Sequence, residues 1–229
     1  YIVGGEVVPD KVLGCLGDTP LEGLQDLEAL PAMKLQQRIA LRNAGHIAPN
    51  DIYQYIANGG YMALYKALFE MEPPQIIEEI TNSGLRGRGG AAFPTGIKLS
   101  FLVKSTSPQK YILCNCEEGD PGAYNDKGIL ESDPHTLLEG MAVAGYATGA
   151  TNGFVFIRHG HDGPIERTKD AIRQAYELGL LGKKILGSKY SFDVEVSLTG
   201  DSYVAGEETA LMDSIEGKRA MPRPRPPFP

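Results

Sequence analysis

The sequence contains no tryptophan and only three cysteines among 229 residues. Three cysteines cannot form the disulfide framework of a secreted protein, so they favour a reducing, cytoplasmic compartment. Positive charge is also scarce, because 22 Lys and Arg stand against 29 Asp and Glu, giving a net charge of −7. This acidic balance argues against binding to nucleic acid or to anionic membrane surfaces.

Long apolar runs are almost absent as well. Residues 140–157 carry no charge and are long enough to qualify as a membrane span, but four of them are glycines. Their pattern predicts a helix of small residues followed by a β-strand. We therefore expect no insertion into a membrane.

The hydrophobic pattern of the sequence changes near residue 51. Residues 1–50 have no strong period and are predicted to be an irregular lead-in segment, whereas residues 51–229 are predicted to form one α/β domain. Helical patterns occupy residues 51–82 and are followed by a glycine-rich loop at residues 84–96.

Three β-rich runs then alternate with helical patterns, at residues 111–116, 153–158 and 192–198. The first two are apolar enough to be typical of buried strands. Alternation of strands and helices predicts an α/β fold with a mainly parallel sheet, preceded by a helical segment.

The glycine-rich loop is the first candidate site. Its glycines allow backbone N–H groups to approach a phosphate or a flat ring, and its cations add positive charge to an acidic chain. The residues concerned are Gly87, Gly89, Gly90, Arg88 and Lys98. The pattern G-x-G-x-x-A occurs here, but it follows a helix rather than a strand, which excludes an ordinary Rossmann fingerprint. A purely structural glycine turn is the alternative.

Polar residues follow the first predicted strand, at Asn115, Glu117, Glu118 and Asp120. Ligands of open α/β sheets bind at the carboxyl ends of strands, where such groups bind ribose hydroxyls or ring N–H groups. A solvated acidic loop is the alternative. No metal site is predicted, because the spacing is not that of a calcium loop and Cys114 with Cys116 supplies only two thiols. These two are predicted to be buried on one face of the strand.

A third cluster contains Tyr203, Gly206, Glu207 and Glu208. Carboxylates in the first turn of a helix are favoured by the helix dipole. Taken alone, the two glutamates are explained as the start of a helix.

Four motifs, GRGGAAFPTGIKLSF, CNCEEGDPGAY, GEETALMDSIEGKR and PRPRPPFP, occur in that order in the chain. Together they resemble the family of flavin-bearing NADH dehydrogenase subunits, which includes the NADH-oxidising subunit of respiratory complex I and subunits of NAD-linked hydrogenases and formate dehydrogenases. The resemblance covers residues 38–229. It implies an oxidoreductase in which hydride passes between NAD(H) and FMN, and electrons continue to iron–sulfur clusters of a multisubunit complex, cytoplasmic or peripheral on a membrane.

The resemblance also implies roles for individual residues. Those expected around FMN are Gly87, Gly89, Gly90, Lys98, Asn115, Glu117, Glu118, Tyr203, Gly206 and Glu207. Those expected around the adenine of NADH are Phe93, Phe101 and Phe228. Asp120 and Glu208 match acids near the nicotinamide nucleotide, and with Glu118 they are the expected catalytic residues. Arg88 and Arg225 complete the expected cofactor contacts, and the many acids favour NADH over NADPH.

Several positions depart from the pattern of complex I, among them Ala92 for a glycine, Glu117 for an aspartate and Ala205 for a cysteine. Residues 119–122 and 131–135 resemble the hydrogenase and formate dehydrogenase relatives more closely. The family's four-iron cluster and ubiquitin-like regions are expected beyond Pro229, in a longer protein. A scaffold module that keeps the fold without oxidising NADH is the alternative function, but the retained acids and phenylalanines favour the dehydrogenase.

Overall fold

The computed structural model describes residues 31, 35–200 and 202–226. The chain divides into two units, residues 1–46 and 47–229, and every element named below belongs to the second. Most of the predicted lead-in segment lies outside the described residues, as does Phe228. Residues 35–50 contain turns and no helix.

Three helices open the second unit: α1 (Ile52–Ala57), α2 (Met62–Glu70) and α3 (Pro73–Asn82). The Asp51 carboxylate accepts hydrogen bonds from the N–H groups of the first turn of α1, and two prolines begin α3. Both are common ways of starting a helix, because they satisfy or remove N–H groups that have no partner within it. The predicted helical segment before the sheet is confirmed.

The sheet consists of three parallel strands in the order β1 (Tyr111–Cys116), β2 (Asn152–Arg158) and β3 (Asp193–Thr199). Helix α4 (Thr95–Lys104) precedes β1. The other helices are α5 (Asn125–Ser132) and α6 (Pro134–Thr148) between β1 and β2, α7 (Asp162–Glu177) between β2 and β3, and α8 (Glu208–Ile215) after β3. This arrangement confirms the predicted α/β fold and parallel sheet. Helix α5 was not predicted.

The two faces of the sheet are covered unequally. Val155 and Ile157 of β2 pack into the main hydrophobic core, together with residues of α6 and α7. On the opposite face, Phe156 packs against Leu211 of α8 in a much smaller cluster. All three strands end at one edge, the carboxyl edge of the sheet, because they are parallel.

In the part of the chain that the structure describes, strand β1 lies at the edge of the sheet and pairs only with β2. Tyr111 and Leu113 on its poorly covered face are exposed, whereas Cys116 on the other face is buried. The prediction that β1 is buried on both faces is therefore wrong, because this strand has one neighbouring strand and one covering layer among residues 35–200 and 202–226. Among the described residues no helix is long and apolar enough to cross a membrane.

Candidate functional site

The glycine-rich loop between α3 and α4 is closed by its own backbone. The Gly87 N–H donates to the Phe93 carbonyl at 2.9 Å, and the Thr95 N–H donates to the Leu85 carbonyl at 2.9 Å. Gly90 has φ +102°, and Ala92, a position where the resemblance leads us to expect a glycine, has φ +49°. These left-handed values turn the chain sharply and favour glycine.

The loop presents open backbone on one side. At Gly89 and Gly90, no described heavy atom lies within 4 Å of the position that a Cβ would take. Arg86 is occupied within the loop, since its guanidinium donates to the Ala92 carbonyl at 3.1 Å. Arg88 is exposed. The loop is thus held in shape from within while its glycines remain accessible to a ligand.

The end of β1 is fixed by contacts to the segment before α8. The Asn115 side-chain amide donates to the Gly206 carbonyl at 2.7 Å. A Cβ on Gly206 would lie 3.2 Å from Glu117 Oε2 and 3.6 Å from Asn115 Nδ2. The absence of a side chain at Gly206 therefore allows the two segments to pack closely.

Glu117 forms an ion pair with Arg158, the last residue of β2. Arg158 Nη1 lies 2.7 Å from Glu117 Oε1, and the Glu117 side chain is only 4% exposed. A buried carboxylate needs such a partner, because its charge is poorly solvated. The sequence interpretation missed Arg158, whose available signal was a single basic residue at the carboxyl end of an apolar strand.

Glu118 points to helix α5 instead. Its carboxylate accepts hydrogen bonds from the N–H groups of Asn125 at 2.5 Å, Asp126 at 3.0 Å and Lys127 at 3.0 Å. Glu118 is buried and both of its oxygens are engaged in starting this helix. Burial, together with the charges of Glu118 and Glu117, raises the pKa of the Asp126 carboxyl to about 6.

Glu207 begins helix α8, as the helix-start interpretation predicted. Its carboxylate accepts hydrogen bonds from the Thr209 hydroxyl and from the N–H groups of Thr209 and Ala210. The Thr209 hydroxyl, and then the N–H groups and Arg225, hold the pKa of Glu207 below its ordinary value. Arg225 Nη2 lies 2.9 Å from Glu207 Oε1.

Glu208 lies between two cations from distant parts of the chain. Lys98 Nζ, on the first turn of α4, is 3.6 Å from Glu208 Oε1, and Arg225 Nη2 is 3.7 Å from Glu208 Oε2. The Glu208 side chain is 48% exposed, so these contacts are loose and open to solvent. We call Lys98, Glu207, Glu208 and Arg225 the ionic cluster.

Four further predicted site residues are brought together in two pairs. The Tyr203 hydroxyl donates to the Asp120 carboxylate at 2.5 Å, which raises the pKa of Tyr203. Phe93 and Phe101 are both exposed, with ring centroids 6.3 Å apart and planes tilted by 48°. Such an uncovered aromatic pair suits a flat base.

The structure therefore unites three of the four motifs directly: the glycine loop with α4, the segment before and within α8, and Arg225. The fourth, at the end of β1, joins them through Asn115 and Gly206. No group of three or more His, Cys, Asp or Glu placed to hold a metal occurs in the part of the chain that the structure describes. A surface depression of about 580 Å³ beside Asp51 and Arg173 is lined by none of these residues.

Comparison with known proteins identifies the same region. Residues 80–229 match the Nuo51 FMN-binding domain family. The chain is 49% identical to the NADP-reducing hydrogenase subunit HndC of Solidesulfovibrio fructosivorans over 203 residues. The aligned region covers 89% of this chain and 41% of that protein. It is 42% identical over 177 residues to a subunit of the NADH-quinone oxidoreductase of Escherichia coli K12, covering 77% of this chain and 40% of that protein.

A solved structure of an NAD+-reducing NiFe-hydrogenase in the H2-reduced state is also similar, with a TM-score of 0.65 and 28% identity over 84% of this chain and 30% of that chain. The chain thus spans about two fifths of the length of the curated relatives. The comparisons confirm the resemblance found in the sequence, and with it FMN as the cofactor of the domain, while NAD is consistent with the family. The chain belongs to the Nuo51 FMN-binding domain family.

Proposed function

We propose that this chain forms the FMN- and NADH-binding part of an NADH:acceptor oxidoreductase subunit. When bound, FMN would supply the acceptor for hydride from the reduced nicotinamide and the route for electrons to the iron–sulfur clusters of a multisubunit complex. The observation that carries this proposal is the ionic cluster. It assembles Lys98, Glu208 and Arg225 from three separate segments beside an open glycine loop.

The residues present fit a flavin nucleotide. The uncovered backbone at Gly89 and Gly90 and the exposed Arg88 would offer N–H groups and positive charge to a phosphate, in space that a Cβ would otherwise fill. Gly87 would shape this loop, because its N–H donates to the Phe93 carbonyl. Lys98 would add charge from the first turn of α4. Asn115, Glu117, Tyr203 and Gly206 would line the flavin, with Glu117 held in place by Arg158.

The acidic residues have two roles: one stabilises the fold, and the others are accessible to a ligand. Glu118 would act by fixing the loop after β1, since its oxygens accept three N–H groups of α5. Asp120 and Glu208 are exposed enough to bind hydroxyl or amide groups of the nicotinamide nucleotide and so to orient it. Phe93 and Phe101, with Phe228, would stack on its adenine.

NADH is the nucleotide that we expect, because the carboxylates of Asp120, Glu207 and Glu208 repel an added 2′-phosphate. NADPH is the second candidate. It is favoured by Arg225, which could neutralise that phosphate, and by the relative named as an NADP-reducing hydrogenase subunit.

Glu208→Gln tests the proposal in the flavin-loaded protein with its partner subunits. We expect unchanged flavin content and a fall in kcat/KM for NADH of about tenfold or more, which corresponds to about 1.4 kcal/mol. Glu216→Gln is the matched control, because Glu216 follows the last residue of the same helix and forms an exposed ion pair with Lys218. Equal kcat/KM values for Glu208→Gln and Glu216→Gln would remove Glu208 from the nucleotide site.

Bleaching of the flavin absorbance by NADH separates the dehydrogenase from the scaffold alternative. The dehydrogenase requires complete bleaching within seconds under anaerobic conditions. A folded protein that carries no flavin, or whose flavin NADH and NADPH leave oxidised, would overturn the proposed function.

A further inference from the structure

Two thiols lie in contact on the covered face of β1. Cys114 and Cys116 are separated by one residue, so strand alternation directs both side chains to the same side. Their Sγ atoms are 3.6 Å apart. Cys116 is 5% exposed, whereas Cys114, nearer to the start of the strand, is only partly buried. The pair offers two soft donors at one point, with Cys114 as the more accessible one.

The surroundings keep Cys116 protonated. Its hydrogen-bonding contact with Cys114, and then burial, raise the pKa of the Cys116 thiol, and the carboxylates of Asp126 and Glu118 add to this effect. Reagents that attack a single thiolate react slowly with such a group. A reagent that binds both sulfurs at once gains from the arrangement, because the two donors are already in place.

Most partners of paired thiols do not fit this geometry. Zinc and iron–sulfur clusters need about four protein ligands, and no third metal-binding side chain joins the pair within the described residues. An intrastrand disulfide is also disfavoured, because residues two apart on a strand are separated by about 6.4–6.8 Å, at the upper limit of about 6.8 Å for Cα atoms of a disulfide.

The fitting ligand is soft, takes two sulfurs that touch each other, and brings its own third substituent. Trivalent arsenic meets these conditions, since it is pyramidal and carries two sulfurs on the same side. A linear two-coordinate ion such as Cu(I) instead requires the sulfurs on opposite sides.

We propose that Cys114 and Cys116 together form a binding site for trivalent arsenic compounds. With an arylarsenoxide, two As–S bonds form and the As–O double bond breaks. Both thiol protons leave with that oxygen as one molecule of water, and arsenic stays trivalent. This arsenic site does not depend on the proposed function, although Cys116 directly precedes Glu117, which we place beside the flavin.

Phenylarsine oxide is the probe, added to the protein carrying Cys15→Ser so that only the pair remains within residues 1–229. We expect one arsenic on the pair, retained against a monothiol and removed by the dithiol dimercaptopropanol. Tryptic mapping should place it on the peptide of residues 111–127, which holds both cysteines. Cys114→Ser and Cys116→Ala should each weaken binding at least tenfold, with circular dichroism confirming that both variants fold.

Retention of arsenic at wild-type affinity by either single variant would overturn the proposal. So would binding that occurs only after denaturation, because the folded strand is what aligns the sulfurs. Formation of a disulfide in place of the arsenic adduct, detected as the loss of two hydrogens from the same peptide, would likewise assign the pair to a different chemistry.

Discussion

Glu139 on helix α6 and Glu208 on helix α8 both interact with groups from distant segments, but with partners of different kinds. Glu139 is 7% exposed and accepts hydrogen bonds from the Tyr55 hydroxyl at 2.5 Å and from the N–H groups of Tyr61, Ala63 and Leu64 at 2.9–3.1 Å. The partners of Glu208 are the ends of two long cationic side chains, no closer than 3.6 Å.

The difference indicates two roles: Glu139 stabilises the fold, whereas Glu208 is available to a ligand. The donors around Glu139 are mostly backbone groups at the start of α2, so they are part of the fold and cannot be exchanged for solvent or ligand without unfolding that turn. The cations around Glu208 are exposed to solvent, so an incoming phosphate can replace the carboxylate as their partner. We therefore expect changes near Glu139 to reduce stability and changes at the carboxyl edge to reduce cofactor binding.

The largest effect is expected at the buried carboxylate. Glu139→Ala should lower the free energy of unfolding by about 3–5 kcal/mol, because it leaves three N–H groups and one hydroxyl without their acceptor in a buried region. Urea denaturation measures this loss. Glu79→Ala is the control, since the Glu79 side chain forms an exposed ion pair with Lys66 at 3.1 Å, worth less than about 1 kcal/mol. Equal losses in the two variants would contradict the comparison.

Local patterns explain why most of the fold could be predicted from the sequence. The first two strands are short apolar runs, and the third alternates apolar and polar residues. Helices such as α3 and α7 have apolar periods with clear starting residues. Helix α5 was missed because its sequence, NDKGILES, has a weak period and a glycine, and because its N–H groups are satisfied by Glu118, seven residues before its start. That hydrogen bonding is visible only in three dimensions.

The same reason limits what the sequence could predict about the site. Motif residues were recognisable from their order and spacing, but their partners were not. Glu117 and Arg158 are 41 residues apart, and Glu139 and Tyr55 are 84 apart, so no local pattern connects either pair. Glu118 and Glu208 are both expected from the sequence to be catalytic, but their surroundings differ. The Glu118 carboxylate is bonded to helix α5, whereas Glu208 is open to solvent.

Arg158 combines features of the Glu139 and Glu208 sites, because it lies at the carboxyl edge of the sheet and is partly buried. Arg158→Met should lower the free energy of unfolding by about 1–3 kcal/mol, because the Glu117 charge stays buried without its partner. It should also weaken FMN binding at least tenfold, as measured by flavin fluorescence. Arg158→Lys should recover part of both losses.

Arg173→Met is the control for Arg158, because Arg173 pairs with Asp170 and Glu177 on the exposed surface of α7. Its stability loss should stay below about 1 kcal/mol, and FMN affinity should not change. A stability loss in Arg158→Met without any loss of FMN affinity would place Glu117 among the residues that only hold the fold.

Two glycines with positive φ form a matched pair, and we expect their substitution to change stability less than the changes at Glu139 and Arg158. Gly90 and Gly149 both have positive φ, +102° and +77°, and both have open space where a Cβ would lie. Substitution by alanine should cost each about 1 kcal/mol of stability, because a side chain disfavours these conformations. Only Gly90→Ala should reduce FMN affinity, since only its added methyl group would enter the proposed phosphate site. Equal affinities would show that the loop is a structural turn.

The effect on stability expected at Asp126 is no larger than that of the glycine substitutions, and here the substitution stabilises the protein. Its pKa is raised to about 6 from an ordinary value of 3.8, so its contribution to stability is present below pH 3.8 and is lost as the pH rises through 6. Two pKa units correspond to at most about 3 kcal/mol, and partial exposure reduces the expected effect to about 1 kcal/mol. Asp126→Asn should therefore stabilise the protein at pH 7.5 by about 1 kcal/mol and lose this advantage below pH 4. Asp162→Asn, in the first turn of α7, should give no such gain, and a gain in both variants would mean that general charge reduction, not the environment of Asp126, is responsible.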